Sequence, residues 1–70
     1  MLKEQFVKEV SKHDDLKIIS VAVKLPSGAI EVITNTQDLE NKARYYAETY
    51  DDNFCLKHNS SIQIVGYMVV

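Results

Sequence analysis

Ile62-Gln63-Ile64-Val65-Gly66-Tyr67-Met68-Val69-Val70 is the stretch that decides how this chain is built. It reads as a β-strand that is apolar on both faces. Because successive strand side chains point to opposite sides of a sheet, strict alternation puts Ile62, Ile64, Met68 and Val70 on one face. Gln63, Val65, Tyr67 and Val69 then lie on the other. A strand apolar on both sides expects cover on both sides. A chain of 70 residues can hardly supply two covering layers, so the second is expected from another copy of the protein.

Working backwards, Asp51 to Ser61 has no clear periodicity and is expected to be a loop of about eleven residues, long for so small a domain. Phe54 and Leu56 can pin it to the core as alternate inward residues. Before it, Leu39, Ala43, Tyr46 and Tyr50 fall on one helical stripe, which predicts a main helix from Thr36 to about Tyr50. Asn35 or Thr36 is the expected cap. Asp38–Lys42 and Glu40–Arg44 are acid-to-base pairs at helical spacing. Tyr45 points away from the stripe, and the core does not need it.

Residues 16–25, LKIISVAVKL, are the first strand, with Ile19, Val21, Val23 and Leu25 as a continuous apolar face. Pro26-Ser27-Gly28 marks a turn, and Ile30–Asn35 returns as the second strand. Two registers compete. A three-residue loop with Gly28 left-handed sets Leu25 opposite Ala29 and Val23 opposite Glu31. A two- or four-residue loop sets Leu25 opposite Ile30 and Val23 opposite Val32, joining apolar to apolar. A one-residue slip swaps the faces, and the apolar match favours the second register. Residues 2–12 form an amphipathic helix with Leu2, Phe6 and Val10 four apart and Glu4–Lys8 as a supporting pair.

The expected fold is therefore α+β: a single domain, residues 1–70, with a three-stranded, mainly antiparallel sheet packed by one main helix, and a short amino-terminal helix in front (α-β-β-α-β). A domain this small buries only ~60% of its unfolded surface, and roughly 3–5 kcal/mol of stability is the usual yield. One cysteine, Cys55, rules out an internal disulfide, which leaves oligomerisation as the remaining source of burial. Interface anchors are expected at Tyr45, Val65, Tyr67, Val69, Ile18 and Ile33. The competing cover is the first helix, whose Leu2, Phe6 and Val10 could lie over the same face and leave a monomer.

Composition narrows function more than any motif does. Hydrophobic content of 46% and charged content of 26% belong to a globular domain, not a disordered tail. A net charge of −2, without a basic run, argues against phosphate-backbone binding. MLKEQFVKEV lacks the apolar run of a signal peptide and no stretch has the length of a membrane span, so a cytoplasmic location and no membrane association are expected.

His13, Cys55 and His58 are the only soft or imidazole ligands. A structural zinc site needs four ligands, so no metal is expected. A Cys55/His58 nucleophile pair would be activated by its imidazole, but no orienting group or oxyanion hole accompanies it, and the chain is not expected to be an enzyme or to carry a cofactor. Asp51-Asp52-Asn53 lacks the alternation and glycine of a calcium loop and fits a helix-ending turn. Asn59-Ser60-Ser61 matches the glycosylation acceptor pattern without an export signal. Four tyrosines could stack bases, but the charges alternate instead of lining a groove, so Tyr46 and Tyr50 suit a core and Tyr45 and Tyr67 a protein interface.

Two segments, LPSGAIEVITNT (Leu25–Thr36) and YDDNFCLKHNSSIQIVGYMVV (Tyr50–Val70), resemble short proteins of temperate phages and prophages of Gram-positive bacteria, in particular the small prophage family called Yopt. The resemblance implies a homodimer of compact subunits with one helix and three strands, and no assigned activity. The helix at residues 2–12 departs from that picture, as does Cys55, where a basic residue is usual. The resulting expectation is a phage-encoded protein in the host cytoplasm, acting through protein contacts as a homodimer, with a host protein as a candidate further partner; a small nucleic-acid accessory protein is the alternative.

Overall fold

In the computed structural model, which describes residues 1–70, the chain begins with helix α1 (Leu2–Lys12), as its apolar spacing predicts. It continues through β1 (Ile19–Lys24), β2 (Ile30–Asn35), helix α2 (Leu39–Thr49), β3 (Cys55–Leu56) and β4 (Asn59–Val69). The sheet has four antiparallel strands in the order β2-β1-β4-β3, not three. The fourth strand comes from the segment expected to be a loop. Leu56 pairs with Asn59 across a tight turn at Lys57-His58, and β4 starts three residues before the apolar run. Its added residues, Asn59, Ser60 and Ser61, are exposed and polar. They leave no hydrophobic period to detect.

The hairpin between β1 and β2 takes the register with the poorer apolar match. Gly28 N donates to Leu25 O at 2.8 Å and Leu25 N to Ala29 O at 2.8 Å, closing a three-residue loop with Gly28 at φ +91°. Val23 therefore faces Glu31, and Val21 faces Ile33. Pro26 suits the first turn position and Gly28 the left-handed one, and that local chemistry prevails. The expected core partners Ile30 and Val32 are accordingly on the other side of the sheet, 54% and 65% exposed. The cost of this arrangement is small because β2 is an edge strand.

A second local irregularity reorders β4. Ala22 pairs with Gly66 but Val23 pairs with Ile64, so Val65 is an extra, bulged residue. A bulge shifts the alternation by one position. Tyr67 and Val69 consequently join Ile62 and Ile64 on the face that packs against the core, while Met68 and Val70 are exposed. The terminal strand pairs with β1 along Gln63–Val69 but with β3 only at Asn59 and Gln63, so beyond Ile64 its outer edge has no strand partner.

Both helices cover the same face. Phe6 of α1 and Leu39, Ala43 and Tyr46 of α2 are buried with Ile19, Val21, Val23, Ile64, Tyr50 and Phe54. Phe6 is the hub: its ring lies 6.1 Å from Tyr46, 5.6 Å from Phe54 and 5.4 Å from Tyr67, the first and last edge-to-face. Such pairs contribute beyond their buried area. Lys3 Nζ also donates to Tyr50 O at 2.6 Å, fixing the start of α1 to the end of α2.

The main helix starts at Leu39, later than expected, because Asn35 has a different task. Its Nδ2 donates to Ile19 O at 3.2 Å and to the Tyr46 hydroxyl at 3.0 Å, tying the end of β2 to both layers. Asp38 precedes the helix at φ +55°, and its Oδ1 accepts from Asn41 Nδ2 at 2.8 Å instead of capping a backbone N–H. Of the three expected acid–base pairs only Glu4–Lys8 closes, at 3.3 Å and on the solvent side. Exposed pairs of that kind stabilise by less than about 1 kcal/mol.

Candidate protein interface

With both helices on one side, the other face of the sheet is left open. Ser20, Ala22 and Lys24 of β1 share it with Ile30, Val32 and Thr34 of β2, and with Gly66 and Met68 of β4. Met68 is 50% exposed, and Val65 and Val70 are also exposed. A shallow depression at its centre is lined by Ser20, Ala22, Val32, Gly66 and Met68. Gly66 forms its floor: a Cβ there would meet only Ala22 Cβ, at 3.8 Å. At the rim, the Ser20 and Thr34 hydroxyls share a hydrogen bond of 2.9 Å.

The six residues expected as interface anchors do not form one patch. Ile18, which exchanges backbone hydrogen bonds with Val70 at 3.2 and 3.0 Å, and the bulged Val65 belong to the open side. Tyr67 and Val69 pack against the core beneath α1. Ile33 is on the helix-bearing side but at the β2 edge, where it stays 40% exposed. Tyr45 is exposed on α2, its ring 5.3 Å from Tyr46. The bulge accounts for Tyr67 and Val69, and the hairpin register for Ile33. The members of the open face that sequence reasoning missed are Ile30, Val32 and Met68. The Pro-Ser-Gly turn carried the signal for the first two; nothing in the sequence marks the bulge that turns Met68 outward.

The two sheet edges differ as much as the two faces. At one edge β3 has two residues, follows Phe54 at φ +62°, and is tethered by Lys57 N donating to Thr49 O at 3.0 Å. Asp51 Oδ1 accepts from Asn53 N and Cys55 N at 2.9 Å each, which makes the acidic turn a helix-ending device. At the other edge β2 has six residues, no bulge, no lysine and no proline.

Titratable groups give the surface little chemistry. Burial, reinforced by the neighbouring Tyr45 and Tyr46, raises the Tyr50 phenol above its ordinary range. Burial and the nearby Glu9 carboxylate raise that of Tyr67. Cys55 is half-buried in β3 with its thiol 3.9 Å from Asn53 O, and His58 is in the adjoining turn. No three His, Cys, Asp or Glu side chains converge on a point that could hold a metal ion. No helix is long and apolar enough to cross a membrane. Comparison with protein-family models, curated proteins and solved structures returns no match for the chain.

Proposed function

We propose that this chain is a non-enzymatic protein-contact module of the small phage type, a homodimer in the cytoplasm that presents the open side of its sheet to a protein partner. The observation that carries this reading is the open face itself. Ile30, Val32, Val65, Met68 and Val70 are all exposed on a domain whose buried core numbers ten residues. Monomeric proteins rarely keep large contiguous apolar surface in water, and a core of this size gains most from burial against a partner. The phage assignment rests on the resemblance of Leu25–Thr36 and Tyr50–Val70, and a host protein as a further partner is an extension of it.

Light scattering coupled to size exclusion tests the reading. The expected result is a species of twice the 8.0 kDa chain mass at micromolar concentration. A monodisperse monomer up to about 100 μM, a concentration at which even a weak specific interface is substantially occupied, would remove the homodimer.

A further inference from the structure

We infer that the dimer forms by antiparallel pairing of the β2 edge with the β2 edge of a second copy, with Ile33 on the two-fold axis. This deepens the homodimer reading and rests on it.

The argument starts from the hydrogen bonds of the hairpin. Leu25 N reaches Ala29 O, and antiparallel pairs alternate between bonded and non-bonded. In the observed register Glu31, Ile33 and Asn35 therefore turn their backbone groups towards β1. Ile30, Val32 and Thr34 turn theirs outward, where no other strand lies. Proteins blunt such edges with lysine, proline, bulges or shortness. On the far side β3 is two residues long and the stretch of β4 that continues that edge, Val65–Val69, begins at the bulge, whereas the six-residue β2 edge has neither bulge, lysine nor proline and carries one charge, Glu31.

Self-pairing must bring outward residues opposite outward residues, which restricts the axis to a few positions. An axis at Glu31 sets the carboxylate against its own copy, and like charges directly opposite are destabilising. An axis at Val32 sets Glu31 against Ile33. An axis at Ile33 sets Glu31 against Asn35, Val32 against Thr34, and Ile33 against itself. Ile33 then occupies a non-bonded pair, where side chains approach most closely, and its exposed side chain gains β-branched cover. The charge also stays beside a polar group at the rim. The occupant is a second copy because this one strand complements itself. The result joins two four-stranded sheets into one, with all helices on one side and the two apolar open faces side by side on the other.

Val32→Pro is the discriminating variant. Its N–H points away from β1, so proline removes an outward donor without removing a bond of the hairpin. By symmetry two intermolecular hydrogen bonds are lost, and dimerisation should weaken on the order of 100-fold with an unchanged far-ultraviolet spectrum. Ile33→Lys, which sets like charges together on the axis, should also give a folded monomer and decides the matter if Val32→Pro does not fold. In the wild-type dimer, hydrogen exchange read by nuclear magnetic resonance should show the Val32 and Thr34 amides protected. A wild-type dimer whose Val32 and Thr34 amides exchange freely, or an Ile33→Lys dimer as tight as wild type, overturns the edge pairing while leaving the homodimer standing. A wild-type monomer overturns both.

Discussion

The two faces of this sheet are made from the same strands, yet one is closed to water and the other is open. On the covered face Ile19 and Val21 are fully buried, with Val23 and Ile64 nearly so. On the open face the residues between them, Ala22, Val32 and Met68, meet solvent. Apolar content does not distinguish the two, since Ile30 and Val32 are as hydrophobic as Ile19 and Val21. Helices do: Phe6 and the α2 stripe reach one side only. Burial here is a property of topology, and a β-branched residue alternates into the core only where a helix waits for it.

The largest expected effect lies on the covered face. Phe6→Ala removes the ring that touches Tyr46, Phe54 and Tyr67 and should cost about 3–5 kcal/mol, the range for a buried aromatic truncated to alanine. For a domain with only a few kcal/mol to spare, most of the population would unfold at room temperature. Urea denaturation followed by circular dichroism measures it. A loss below about 1 kcal/mol would mean that α1 is a loose arm and that the covered face is closed by α2 alone.

A matched pair compares the faces directly. Valine and threonine are nearly the same size, so Val21→Thr and Val65→Thr differ mainly in what the new hydroxyl meets. At Val21, fully buried between strands, the hydroxyl loses its water and should cost roughly 1–3 kcal/mol. At Val65, exposed on the bulge, the change should stay within about 0.5 kcal/mol. Equal losses at the two sites would show that the open face is covered in solution, and the comparison would have to be redrawn with a partner present.

How much of this was legible in the sequence follows from the range of the signals. The α1 bounds, the β1 inner face and the α2 stripe of Leu39, Ala43 and Tyr46 are all written in local periodicity and appear where that periodicity puts them, while Tyr50 is buried as expected but extended, one residue past the helix. The α+β class follows from them. What was illegible is what a single residue changes. One extra residue, Val65, moves Tyr67 and Val69 inward and Met68 outward. A choice between loop lengths at Pro26-Ser27-Gly28 moves Ile30 and Val32 to the open side. In both cases a period-two pattern is blind to a one-residue slip, and the composition of β2 and β4 is apolar enough to suit either answer. The anchors expected for an interface were scattered for that reason. The fourth strand, β3, escaped because two residues, Cys55 and Leu56, are too few to show a period and the residues that return from it, Asn59 to Ser61 of β4, have no face to bury.

An effect of the opposite sign comes from the floor of the open face. Gly66 is not at positive φ, and a Cβ added there would sit 3.8 Å from Ala22 Cβ, an ordinary contact. Nothing in the backbone therefore demands glycine. Glycine within a strand is destabilising by roughly 0.5–1 kcal/mol relative to alanine, because the unfolded chain has more freedom to lose. Gly66→Ala should accordingly raise stability by about that amount and add a methyl group to the depression between Val32 and Met68. Thermal unfolding of the two proteins at equal concentration reads the difference as a higher midpoint for the variant. A lower midpoint would show that the space above Gly66 is already occupied in solution, and that the open face is closed there by a second surface.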